Sequence, residues 1–179
     1  MPKPGKEKLE RFKKGELRLA QVFDVDAQQI AALLLLGHRL YQQGQLKKAK
    51  QIFQGLAVLD GRNPYVHAVL GTIHQKEGED EIAITRYNMA LNLWPEDVTC
   101  LINRGEIYLK LGQFEEAASD FQKAIALDPE KGTGPANRAR LLVATAREAL
   151  KLAKEKGVEA ILEAKKQINK QMDTTGPTK

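Results

Sequence analysis

The stretch Val98–Lys131, VTCLINRGEIYLKLGQFEEAASDFQKAIALDPEK, recurs along the chain with a period of 34 residues. One shift back by 34 positions aligns its small, aromatic and proline residues with an earlier stretch: Gly105, Gly112, Ala117, Phe121, Ala124 and Pro129 fall on Gly71, Gly78, Ala83, Tyr87, Ala90 and Pro95. A second shift aligns Gly37, Gly44, Ala49 and Phe53. Such recurrence is typical of arrays in which one structural unit stacks on the next. It predicts units over residues 30–63, 64–97 and 98–131.

Each unit reads as two helices. Apolar residues recur at helical spacing over 98–111, and Gly112 ends that helix because glycine adopts the left-handed conformation without a Cβ clash. A second helix is predicted over 114–127, and Pro129 stops it. The same frame predicts helices near 28–43, 46–59, 64–77 and 80–93.

The flanking segments differ from the repeats. At the N-terminus (1–29) we expect no regular structure over residues 1–8, then a helix over 9–23 that either caps the first repeat or pairs with a second copy. Asp24 or Asp26 is expected to cap the next helix.

After the repeats, Gly132, Thr133, Gly134 and Pro135 form a predicted loop that contains a helix start, with Thr133 at or next to the N-cap and Pro135 suited to the first helical position. A long helix is then predicted from Ala136 to about Lys156, because its apolar residues form one stripe. After Gly157 a weaker helical pattern continues. Residues 132–172 are therefore predicted to form C-terminal capping helices, and residues 173–179 a tail.

Charge is unevenly distributed over the 179 residues. The net charge is +5, but residues 1–18 carry +4, residues 19–130 carry −5 and residues 131–179 carry +6. The basic residues lie outside the repeats and alternate with Glu, so we do not expect specific nucleic-acid binding.

No apolar run reaches the 18 residues of a membrane span, the N-terminus lacks the apolar core of a secretory signal, and the one cysteine allows no internal disulfide. These features predict a cytoplasmic protein without membrane insertion.

The period and the residues at fixed offsets resemble the tetratricopeptide repeat (TPR) family. The resemblance implies an all-α fold, a TPR superhelix of three helix–turn–helix repeats with an N-terminal helix and a long C-terminal capping helix. The first helices of the repeats then line a concave, peptide-binding groove. In the repeat frame its lining is Leu34, His38, Tyr41, Tyr65, Ala68, Val69, Thr72, Gln75, Ile102, Asn103, Glu106 and Leu109. The alternative is that several of these side chains pack between neighbouring helices.

A narrower resemblance rests on the first repeat, through Tyr41-Gln42-Gln43-Gly44, Ala49, Phe53-Gln54 and the segment 56–60, LAVLD. These residues are similar to the SycD/LcrH-type chaperones of bacterial type III secretion, which bind hydrophobic translocator subunits. The resemblance implies an extended client segment in the groove, with pockets lined by Leu34, Tyr41, Tyr65, Val69 and Ile102, and a homodimer through the N-terminal helix. The basic termini differ from the acidic composition usual in that family.

The residues that could carry chemistry are few. Ser119 has no nucleophile-elbow context, and no phosphate-binding glycine loop is present in the sequence. His67 and His74 share a helix face, but a metal site needs three or four donors, so both are expected to be structural. We therefore predict no catalytic residue, no metal and no cofactor.

The sequence thus predicts a non-enzymatic chaperone or adaptor that holds an extended, partly hydrophobic segment of a partner protein, in the manner of a type III secretion translocator chaperone. The alternative is a general TPR scaffold subunit of a multiprotein complex.

Overall fold

The computed structural model describes residues 4–127, 134–156, 166 and 170. Within this part of the chain all regular structure is helical, which confirms the all-α prediction. The helices are α1 (Lys6–Lys13), α2 (Leu19–Val22), α3 (Ala27–Gln42), α4 (Leu46–Leu59), α5 (Pro64–Lys76), α6 (Asp80–Leu93), α7 (Val98–Leu111), α8 (Phe114–Leu127) and α9 (Gly134–Lys156).

The repeat helices begin and end where the sequence pattern places them. Gly112 follows α7 in the left-handed conformation, with φ of 82°, as Gly44 and Gly78 do after α3 and α5. At the start of α5, the Asn63 side chain accepts a hydrogen bond from the backbone N–H of Val66, and Pro64 occupies the first helical position.

The N-terminal segment differs from the prediction in two ways. Helix α1 begins at Lys6, so residues 6–8 are helical rather than irregular. The helix expected over 9–23 is interrupted, because Gly15 takes φ of 74° and the chain turns between α1 and α2. Asp26 caps α3, as one of the two expected candidates: the Gln29 backbone N–H donates to its carboxylate at 2.7 Å. Asp24 instead adopts a left-handed conformation with φ of 54°.

The chain divides into two compact units, residues 1–93 and 94–179. In the first unit α3 packs on α4, α4 on α5 and α5 on α6. Its core contains Phe53, Leu56, Leu70, Ile73 and Tyr87, each with 1 % or less of its surface exposed.

The second unit is built from α7, α8 and α9, which pack on one another. Phe121 and Ala117 of α8 are buried there, and Ala139, Ala146 and Ala149 form the buried stripe of α9. That stripe confirms the apolar pattern predicted for the long helix after residue 135. The predicted features at Pro129 and at residues 132 and 133 lie outside the described residues, and after Gly157 only residues 166 and 170, both helical, are described. Helix α9 begins at Gly134, so Gly134 and Pro135 belong to the helix rather than to the loop before it.

Candidate peptide-binding surface

Eight of the predicted groove residues lie on α3 and α5 of the first unit. Tyr65, 42 % exposed, is the most accessible aromatic side chain among them. Its hydroxyl shares a 2.6 Å hydrogen bond with Nδ1 of His38 on α3, and its ring meets Phe53 edge-on with centroids 6.1 Å apart. One side of the Tyr65 ring is therefore anchored on the core, and the rest faces outward.

Tyr41 lies one turn beyond His38 on α3 and pairs with the C-terminal end of α5. The ammonium of Lys76 lies 5.0 Å from the centre of the Tyr41 ring, which is the geometry of a cation–π contact. Burial, and to a smaller degree the nearby Tyr41, raise the pKa of the Tyr65 hydroxyl above its usual value. The phenol therefore stays protonated at neutral pH, as a hydrogen-bonding group. We call His38, Tyr41, Tyr65 and Lys76 the aromatic row.

The polar groups of α5 next to the row are already held by the protein. Thr72 donates its hydroxyl to the carbonyl of Ala68 at 3.1 Å, and Tyr87 of α6 donates to the Gln75 side-chain oxygen at 2.7 Å. The Tyr87 hydroxyl also lies 3.2 Å from the Thr72 oxygen. These contacts fix the side chains in place and leave the amide nitrogen of Gln75 outside the network they form.

Leu34 and Val69 form the floor of this surface. Both are half-buried and pack against the core cluster that contains Phe53 and Leu70. Their partial burial agrees in part with the alternative interpretation, in which apolar residues at groove positions pack between neighbouring helices. The residue that remains most open to a partner is Tyr65.

The predicted groove residues of the second unit differ in accessibility. Ile102, Glu106 and Leu109 on α7 are 3 %, 5 % and 0 % exposed, so they offer no surface to a partner in this structure. Asn103 is half-buried. Sequence spacing alone does not separate these residues from their exposed counterparts on α3 and α5, because burial depends on which helices pack above them.

Glu106 has a specific partner on α9. Nε of Arg138 lies 2.6 Å from its Oε1, although the N–H direction does not meet hydrogen-bond geometry, so the contact is an ion pair. Burial raises the pKa of Glu106 to about 6, and the Arg138 guanidinium only partly offsets this effect.

His67 and His74 contact other groups of the protein. Nε2 of His67 donates to the carbonyl of Gly61 at 2.9 Å, since a carbonyl oxygen only accepts. Nδ1 of buried His74 contacts the Glu79 carboxylate. His74, Glu77 and Glu79 could approach one cation, since their ligand atoms lie within 4.8 Å of one another. However, the ammonium of Lys50 already bridges Glu77 and Glu79 at 2.6 and 3.0 Å.

Sequence reasoning missed an apolar cavity on the far side of α3. It has a volume of about 670 Å³ and is lined by Leu19, Phe23, Val25, Gln29, Ala32, Leu33, Leu36 and Leu59. The sequence does contain an indication of this cavity, because positions 33–36 are four consecutive leucines. Four adjacent leucines give α3 a wider apolar surface than the single stripe that faces the core requires. None of the helices in the described part of the chain combines the length and apolar character needed to cross a membrane.

Comparisons with known proteins give a repeat-family match and similar relatives. Residues 98–131 match the family model described as tetratricopeptide repeat. Low calcium response locus protein H of Yersinia pseudotuberculosis is 28 % identical over 156 residues, covering 86 % of this chain and 90 % of that protein.

Solved structures give the same result. A type III secretion complex from Aeromonas hydrophila is 27 % identical with a TM-score of 0.75, covering 82 % of this chain and 99 % of the other. The type III secretion chaperone SycD of Yersinia enterocolitica, in complex with a peptide of the translocator YopD, is 27 % identical with a TM-score of 0.63, covering 73 % and 98 %. The chain therefore carries a tetratricopeptide repeat and is similar, in sequence and in fold, to the translocator chaperones of type III secretion, which confirms the predicted resemblance.

Proposed function

We propose that this chain is a translocator chaperone: it holds an extended, partly hydrophobic segment of a partner protein against the α3/α5 face, in the cytoplasm and without a catalytic step. The observation that carries the proposal is the aromatic row, in which an exposed Tyr65 is braced by His38 and Phe53. Braced aromatic side chains lose little conformational entropy on binding, so they are suited to anchor a partner.

The relatives support a chaperone over a general scaffold subunit. SycD was solved with a peptide of a translocator, and PcrH with the chaperone-binding regions of PopD and PopB. The groove residues on α3 and α5 supply the chemistry such a peptide needs: apolar contact at Leu34 and Val69, and hydrogen-bonding groups at His38 and Tyr65.

A selection from random twelve-residue peptides displayed on phage tests the proposal. We expect the full chain to enrich peptides with spaced apolar residues. Tyr65→Ala should weaken binding of the synthesised peptides by about 2 kcal/mol or more, since truncating an anchoring aromatic has this effect. Fluorescence anisotropy measures the affinity, and circular dichroism melting checks that the variant folds.

Two further variants sharpen the test. Tyr65→Phe keeps the ring but removes the hydroxyl, so it should retain most of the affinity. Val58→Ala trims a side chain that is 66 % exposed on α4, away from the aromatic row, and should leave affinity unchanged. Absence of enriched peptides, or equal losses in Tyr65→Ala and Val58→Ala, would reject the proposed function.

We also propose that two copies associate through the N-terminal helices. Leu9 and Phe12 lie three residues apart on α1, so they share a face, and they are 37 % and 41 % exposed. The apolar cavity between α2, α3 and α4 offers a complementary surface, and Phe23 and Leu36 in its lining are 39 % and 42 % exposed. Burial of this apolar area supplies the driving force for association.

A further inference from the structure

The helices that carry the aromatic row have an unusual charge balance. Neither α3 nor α5 contains an aspartate or a glutamate, and α4 between them contains none either. Residues 27–76 carry six Lys or Arg and a single acid, Asp60, whose carboxylate pairs with Arg18 at 2.8 Å. Residues 77–130 carry four basic and twelve acidic residues. The acidic character of the repeats is therefore confined to the later part of the chain, whereas α3 and α5 carry two cations, Arg39 and Lys76, and no acid.

Lys76 brings this positive charge to the aromatic row. It is the last residue of α5, it is exposed, and the Tyr41 ring holds its ammonium at 5.0 Å. The carboxylates that follow it in the chain, Glu77 and Glu79, are bound by Lys50. The ammonium of Lys76 is thus positioned by an aromatic ring instead of being neutralised by these two acids.

The spacing along the row limits what a bound segment can look like. Tyr65 and Lys76 are eleven residues apart on α5, about 16 Å at 1.5 Å per residue. Their partners on α3, His38 and Tyr41, are only one turn apart, about 5 Å. An extended chain advances about 3.3 Å per residue, so two to roughly five residues of a bound segment separate the two ends of the row.

We propose that the α3/α5 face selects an extended segment in which a carboxylate lies two to five residues from an apolar anchor, with the anchor at Tyr65 and the carboxylate at Lys76. The inference rests on the proposed function and adds a specificity that the apolar pockets do not supply. The Lys76 ammonium, held over an aromatic ring at the edge of an apolar surface, forms an ion pair with a carboxylate of the bound segment. It forms no such pair with an amide or an ammonium at the same position of the segment.

A designed peptide set tests the selection. Fluorescein-labelled decapeptides carry one leucine anchor and one aspartate at separations of one to eight residues, in an otherwise Gly/Ser sequence with one added valine. Each has a matched peptide with asparagine and another with lysine in place of aspartate. Anisotropy titrations use the full chain, Lys76→Gln and Lys47→Gln. Lys47 is exposed on α4, so its substitution changes the net charge equally without touching the aromatic row.

We expect aspartate peptides with separations of two to five residues to bind about twofold to fivefold more tightly than their asparagine counterparts at low salt. The preference should disappear in Lys76→Gln and persist in Lys47→Gln. If the preference for aspartate persists in Lys76→Gln, or falls equally in both variants, the inference is overturned, because the preference would then come from the net charge of the protein and not from Lys76.

Failure of the inference is distinguishable from failure of the proposed function. If the asparagine peptides bind, Tyr65→Ala weakens them and aspartate brings no gain, the binding surface stands and the selection is wrong. If the phage-selected peptides bind and no designed peptide does, the selection is wrong and the proposed function stands; if neither kind binds, both fail. If a labelled 20-nucleotide single-stranded DNA competes with the peptides and loses affinity in Lys76→Gln, the basic face serves nucleic acid and the inference is likewise overturned.

Discussion

Three glycines on the first helices of the repeats each lie against an aromatic ring of the following helix. A Cβ atom built on Gly71 would stand 2.7 Å from the Tyr87 ring, and one on Gly105 would stand 2.7 Å from Phe121. The pair of Gly37 and Phe53 repeats the arrangement at 2.9 Å. These glycines are required because the aromatic ring lies directly against the helix backbone, not because the backbone needs an unusual φ. The glycine and the aromatic residue therefore recur together at fixed positions of the repeat.

Gly71→Ala is therefore expected to destabilise the protein, although alanine favours helix over glycine. The added methyl group must push the buried Tyr87 ring or the backbone of α5, and such overpacking costs about 1–3 kcal/mol. Urea denaturation measures the change in the free energy of unfolding.

Gly55→Ala is the matched control. Gly55 lies inside α4, and a methyl group added there would meet no neighbouring side chain within 4 Å. Alanine at this position should therefore stabilise the protein by about 0.5–1 kcal/mol through helix propensity. Similar gains in both variants would show that the ring contact at Gly71 carries no energetic weight.

At the scale of the helix, sequence predicts the repeats well and the termini poorly. The bounds of α4, α7 and α8 follow from a pattern that occurs three times, so that each copy supports the others. The N-terminal segment has no such copies. A turn at Gly15 separates α1 from α2. The sequence predicted only a weakened helix there, because one glycine inside a helical pattern is often tolerated.

The contact between α7 and α9 gives a prediction about pH. Glu106 has a pKa of about 6 in the folded protein, raised by burial above the ordinary value of 4.5. The folded state thus binds this proton more tightly than the unfolded state does. The resulting stability is present below about pH 4.5 and is lost as the pH rises through about 6, with a size of up to about 2 kcal/mol.

Glu106→Gln should remove this component. The stability of the native chain should fall between pH 4.5 and 6.5 by up to about 2 kcal/mol relative to that of the variant, as measured by urea denaturation at several pH values. Glu96→Gln, which changes an exposed carboxylate in the same unit, should keep the native profile. If the Glu106→Gln profile parallels the native one, burial does not perturb this carboxyl.

At the scale of the whole chain, the repeat frame predicts which helices carry the candidate peptide-binding surface, but it does not predict which of the residues on that surface are exposed. The repeat frame identified His38, Tyr41 and Tyr65, which the structure brings together. It could not separate them from Ile102 and Leu109, which occupy groove positions by the same frame but are buried. Exposure is set by contacts with other helices, and no residue pattern within one repeat encodes them.

The proposed association of two copies gives a prediction for the whole molecule. If α1 of one copy meets the apolar cavity of another, a charge on either surface should dissociate the pair, because a buried carboxylate without a partner is costly. We expect the native chain to sediment as a dimer at micromolar concentration, and Phe12→Glu and Leu36→Glu to sediment as monomers with little change in thermal unfolding. Val58→Glu places the same charge on an exposed position of α4 and should remain dimeric. A monomeric native chain at tens of micromolar, or dissociation by Val58→Glu as readily as by the other two, would exclude the N-terminal interface and leave the apolar cavity without a second copy to fill it.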